Sequence, residues 1–349
     1  MFDIKTGKAV QFNVNNIAKI PEFMYLCERN AIRVLLEGSG VGNPLLLMQN
    51  GVFLKDVAFL EKGIFSTAFR RSILPDSFSD FIASPVYRLD WGIIQEQLGH
   101  GLPVMIYVDV YYMKYKTFYQ KNHAGHYVLI IGCCENKYQI FDWYEPDYFM
   151  GYISEQELEL ARISENPVDG TSAFSGVPIR AEYRLLNYER LKYCGEINHR
   201  DFIIKNLCKI FFSFIEENDP TRGLSFIKKF GNTPRFVENY DNSSYVNAMQ
   251  SFFFLELELN IFIRYIDEII SNGLFRADLF DPLNELSINL RKNTIAIKNK
   301  CHMSYRRSKG MPVEEWMEIS KSISEDLHMF PQKIYDILTF IKCQKVGEV

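Results

Sequence analysis

The stretch HAGHYVLIIGCCENKYQIFDW, residues 123–143, decides how the rest of the chain is read. It predicts a loop with two histidines, then a buried strand over 127–133. A short turn at Glu135, Asn136 and Lys137 follows, and a second strand over 138–141 ends on Asp142. Runs of Val, Ile, Leu and Tyr bounded by Gly and Asn are characteristic of a sheet interior. Two strands around so short a turn are antiparallel, and their outer ends meet. His126 opens one strand and Asp142 closes the other, so the hairpin sets imidazole beside carboxylate. A carboxylate at hydrogen-bond range fixes the tautomer and orientation of a histidine.

Such a pair needs a nucleophile, and Cys27 is the candidate. The segment 28–36 reads as a helix with Ile32, Leu35 and Leu36 on one face. Cys27 stands at its first turn, where unpaired N–H groups and the positive end of the helix dipole favour a thiolate. Gly38, Gly40 and Gly42 end that helix. They follow a helix, without a GK[ST] sequence, so a phosphate-binding P-loop is not expected.

Outward from this core, residues 1–20 read as an edge strand or extended arm, and 45–85 as a strand pair with a small helix. Residues 90–99 (DWGIIQEQLG) read as a short amphipathic helix capped by Asp90. Pro103 opens the strand PVMIYVDV, and a helix near 154–161 and a strand near 179–186 follow. From about residue 199 the patterns become long and helical: 200–217, 244–272, 282–307 and 312–343, with a linker-like tract over 219–242. The expected fold class is α+β: a domain over 1–195 with an antiparallel sheet, and a mostly helical domain over 196–349.

Composition narrows the function. The chain has 349 residues, 47% of them hydrophobic, with a net charge of −4. A large core is therefore expected, and no basic block points to nucleic acid. The seven cysteines form no disulfide framework by spacing, which suits a reducing compartment. Neither a signal peptide nor a membrane span is read, so a cytoplasmic protein is expected. A homodimer is left open.

Each candidate also has an ordinary reading. A free Cys is often a small buried hydrophobe, and a strand-end His or Asp often caps a turn. His123 and His126 form an HxxH pair near Cys133 and Cys134. Adjacent strand residues face opposite ways, however, so no metal is expected there. Cys194, Cys208, Cys301 and Cys343 fall on or near helical patterns and read as packing residues.

The segments LCERNAIRVLLEGSG, PVMIYVDVYYMKY and HAGHYVLIIGCCENKYQIFDW resemble the butirosin biosynthesis protein H family over roughly residues 20–150. The resemblance implies a papain-like cysteine-enzyme fold. It also implies acyl transfer from the phosphopantetheine thioester of an acyl or peptidyl carrier protein to an amine acceptor, with no cofactor of the enzyme's own. Carried over by position, Cys27 is the nucleophile, His126 the base and Asp142 the orienting acid. Asp109, Tyr111, Tyr112 and Tyr115 match the family's D-x-Y-Y pattern and, with His123, are expected to line the substrate pocket. The alternative for these is that Asp109 caps its strand and the tyrosines pack. The run IPEFMYLCE has no Gln before the Cys, so the backbone N–H of Cys27, with a more distant Asn, is the expected oxyanion donor. A thioesterase or peptidase, and a binding module that has lost catalysis, are the competing functions.

Overall fold

The computed structural model describes residues 12–18, 27–48, 82–144, 146–169, 174–187, 199–215, 242–307 and 309–346. Residues 49–81 of the tract 45–85 expected to hold a strand pair and a small helix, residues 219–241 of the linker-like tract, Cys194 and the side chain of Cys343 lie outside them. Two compact units are formed, Met1–Met48 with Leu74–Ile197, and Gln49–Ile73 with Asn198–Val349. The first carries a six-stranded antiparallel sheet and the second is helical, an α+β chain.

In the first unit the elements are α1 (Cys27–Gly38), α2 (Pro44–Met48), β1 (Val86–Tyr87), α3 (Trp91–Gly99), β2 (Val104–Asp109), β3 (Gly125–Cys134), β4 (Lys137–Asp142), β5 (Phe149–Ser154), α4 (Glu155–Arg162) and β6 (Glu182–Arg184). The sheet order is β1-β6-β2-β3-β4-β5. The arm expected over 1–20 is instead, where described, a 3-10 turn at Val14–Asn16 capped by Asn13.

β3 lies inside the sheet, which explains its unbroken apolar run: a strand covered on both faces has no polar side to show. Val104, Ile106, Val108, Val128, Ile130 and Ile140 form one buried layer with Ile94 of α3 and Leu158 and Ala161 of α4. The other face carries Tyr107 and Tyr127, whose rings lie 4.5 Å apart. α1 serves that side. Its Glu28 pairs with Arg184 at 2.9 Å, and Arg184 lies over the Tyr127 ring. Asn30 donates to the carbonyl of Trp143 at 2.8 Å, tying α1 to the end of β4.

The hairpin turns over two residues, with Glu135 at a φ of 54°. The register slips between Ile130 and Gly132, and the bulge bends β3. Asp90 caps α3 by accepting from the Ile93 N–H, and Ser154 caps α4 by accepting from Glu157.

The second unit contains α5 (His199–Ile215), α6 (Asn242–Ser271), α7 (Ala277–Arg307) and α8 (Val313–Val346). Its core includes Phe262 of α6 against Phe330 of α8, ring centroids 5.3 Å apart. The buried hydroxyls of Ser287 and Thr294 are satisfied by carbonyls four residues back, at 2.7 Å each. Pro282, expected to open its helix, lies inside α7. Phe280 is completely buried and packs near Phe275, which favours starting the helix earlier despite the lost hydrogen bond. Cys301 is buried and Cys208 half-buried. Among the described residues, no helix is long and apolar enough to cross a membrane.

Candidate active site

The sheet geometry brings His126 and Asp142 together. Leu129 stands opposite Phe141. Continuing that register puts Val128 across from Asp142, and His126 one pleat further on the same face. That diagonal is within reach of an imidazole. Nε2 of His126 donates to both carboxylate oxygens of Asp142, at 3.1 and 3.0 Å. Both side chains are buried. Among the described residues His126 makes no hydrogen bond through Nδ1.

Two further groups converge on the same carboxylate. The Tyr115 hydroxyl donates to Oδ2 at 2.7 Å, and Lys116 Nζ stands 2.8 Å from it. Tyr115 is held in place by stacking on Phe149, centroids 4.0 Å apart and nearly parallel. Sequence reasoning missed Lys116, because a lysine in a polar loop reads as solvated. Burial acts against ionisation of Asp142, but His126 and Lys116 outweigh it and hold the carboxyl at about 2. Burial, and then Lys116, push the imidazole of His126 below its ordinary 6.5, against the pull of Asp142.

Cys27 opens α1, as expected. Its sulfur faces the backbone N–H groups of Glu28 and of Tyr127, the residue after His126. The environment differs from the thiolate-favouring one expected. Burial pushes the thiol up to about 12, and the negative charges of Glu28 and Asp142 add to this; the two N–H groups pull the other way and lose. Tyr144 lies beside both candidates. Its ring is 5.1 Å from that of His126, and the Cys27 sulfur is close enough to act on its hydroxyl. Among the described residues no hydrogen bond joins Cys27 to His126.

Asp109 builds a separate cluster. Its carboxylate, wholly buried, accepts from the Tyr111 N–H at 3.1 Å, the Ala124 N–H at 3.2 Å and the Ser164 hydroxyl at 2.6 Å. It also meets His123 Nδ1 at 2.7 Å. The bonds to Tyr111 and Ala124 pin both ends of the loop between β2 and β3. Tyr111 stacks on His123 at 4.1 Å, and Tyr112 leans on the apolar layer beneath. Asp109 thus caps the 3-10 turn Val110–Tyr112, and the two histidines answer to different carboxylates. Among the described residues no group of three His, Cys, Asp or Glu side chains is placed to hold a metal ion.

No curated protein matches the chain. Residues 87–143 match the sequence model of a family described as "Butirosin biosynthesis protein H, N-terminal". That segment holds Asp109, Tyr115, Lys116, His123, His126 and Asp142, and excludes Cys27. Over residues 87–143, the chain is similar to the butirosin biosynthesis protein H, N-terminal, family.

Proposed function

We propose that this protein is a cysteine-dependent acyltransferase of specialised-metabolite biosynthesis, with a papain-like arrangement of Cys27, His126 and Asp142. The donor is an acyl or aminoacyl thioester on the phosphopantetheine arm of a carrier protein, and the acceptor is a small-molecule amine. The Cys27 sulfur attacks the thioester carbonyl while Nδ1 of His126 takes its proton. The pantetheine thiolate leaves with that proton, giving an acyl-Cys27 thioester. The amine then attacks, His126 takes a proton from it, and Cys27 is released as a thiol. Backbone N–H groups near the sulfur are the oxyanion donors of this scheme.

The observation that supports this reading is the disposition of the imidazole. Nε2 is committed to a buried carboxylate, which leaves Nδ1 for proton exchange. Tyr127, the next residue, offers its N–H to the Cys27 sulfur. With the thiol pushed up to about 12, deprotonation accompanies attack rather than preceding it.

The same raised thiol, with no bond to His126, favours a second reading: a binding module that keeps the fold without the chemistry. Intact-mass analysis after mixing the protein with acyl-loaded carrier protein separates the two. The transferase gains the acyl mass on Cys27, and C27A gains none. Product from added amine, against free acid without it, distinguishes transfer from hydrolysis. Native-rate product formation by C27A would overturn the covalent route.

A further inference from the structure

We propose that Lys116 is a positioning residue, the standing counter-charge of Asp142, so that His126 rests as a neutral imidazole ready to receive a proton. Its use in acyl transfer rests on the function proposed above; the charge assignment does not.

Asp142 carries one negative charge, and two basic side chains touch it, Lys116 at 2.8 Å and His126 at 3.0 Å. The Lys116 and Asp142 side chains are 5% and 2% exposed, so neither charge is relieved by water. One carboxylate balances one cation. A second cation on the imidazole would be buried without compensation, which is costly. Lysine is by far the stronger base of the two in their ordinary states, so it holds the proton.

Geometry supports the same division. Lys116 and Tyr115 both approach Oδ2, while His126 spans both oxygens. Three donors fix the rotation of the carboxyl group, and through it the plane of the imidazole. The Lys116 ammonium also lies near the Tyr115 and Tyr144 rings, 5.3 and 5.9 Å from their centroids, which adds attraction without adding charge. The titratable groups around His126 are Asp142 on β4, Tyr115 and Lys116 on the loop after β2, Tyr144 and Asp147 after β4, and Cys27 on α1. Of these, Lys116 is the cation, and it opposes imidazolium formation.

The test is ring-nitrogen NMR of His126 in the intact chain. The wild-type protein is expected to show a neutral Nε2–H tautomer at pH 7, titrating below 6.5. K116M is expected to move that midpoint upward by about one unit or more, since it leaves Asp142 facing the imidazole alone. K116R is expected to restore the wild-type midpoint. An imidazolium signal in the wild type at pH 7, or a K116M midpoint that stays put or falls, would overturn the assignment. The wild-type measurement needs no variant, so misfolding of K116M does not remove the test. Activity enters separately: a wild type that never acylates Cys27 sinks the transferase and leaves the charge assignment standing.

Discussion

His126 addresses Asp142 through Nε2, with both carboxylate oxygens within 3.1 Å. Nδ1 is therefore the ring nitrogen that Asp142 does not engage, and the pair is set up by a diagonal across two neighbouring strands. This relationship controls how the protein responds to acid. In the folded state His126 sits below its ordinary 6.5 and Asp142 sits near 2, below its ordinary 3.8. The unfolded chain therefore takes up both protons first as pH falls. The contribution of His126 is complete above 6.5 and is lost as pH drops through 6.5 toward its lower folded value. That of Asp142 is complete above 3.8 and is lost toward 2. A pH series of melting temperatures is expected to fall in both windows; H126Q is expected to abolish the upper one and, by removing one of the two basic groups that hold Asp142 down, to shrink the lower one.

Alkylation of the thiols is expected to be ordered. Cys133 and Cys134 are exposed at the end of β3, whereas the Cys27 thiol is pushed from 9.0 to about 12. Three units correspond to about a thousandfold less thiolate at neutral pH. Pulse labelling with iodoacetamide, read by peptide mass, is expected to modify Cys133 and Cys134 long before Cys27. Equal rates would show that the Cys27 sulfur is far less buried than described.

Gly125 is required by close approach rather than by its backbone angles. A Cβ built there would overlap the Tyr107 hydroxyl, and Tyr107 has little room to retreat because its ring lies against Tyr127. G125A is expected to destabilise the protein by roughly 1–3 kcal/mol, measured by urea unfolding. G132A is a fair control, since its added carbon would meet only Gln139, at 3.3 Å.

Asp109 is the shared acceptor of four groups that close the loop after β2. D109A leaves the Tyr111 and Ala124 N–H groups, the Ser164 hydroxyl and His123 without their acceptor. A loss of roughly 2–4 kcal/mol is expected, together with faster proteolysis of the loop after β2, where Phe118 is exposed. S164A removes one bond of the four and also the acceptor of the Asn166 N–H, 2.9 Å away, and a loss of about 1–2 kcal/mol is expected.

The hairpin, the Asp90 cap and the place of Cys27 on its helix were legible because each depends on residues close in sequence. β5 was missed: FMGYIS alternates, but it stands directly before a helix and both its Met150 and Tyr152 are exposed. Lys116 was missed for a different reason. Its burial depends on Asp142, Tyr115 and Tyr144 folding around it, and nothing in the adjacent sequence signals that. The state of Cys27 was misjudged because a helix start predicts donors near the sulfur. Those donors are present, but desolvation and two carboxylates outweigh them.

β2, β3 and β4 follow one another in the chain, and with the loop between them they contain Asp109, Tyr115, Lys116, His123, His126 and Asp142. This part of the sheet is a meander of strands that pair with their neighbours in sequence, which favours early assembly during folding. Cys27 comes from a distant helix and makes none of the bonds that close the meander. An exchange of the Cys27 sulfur for another small group therefore leaves the bonds of His126, Tyr115 and Lys116 to Asp142 in place.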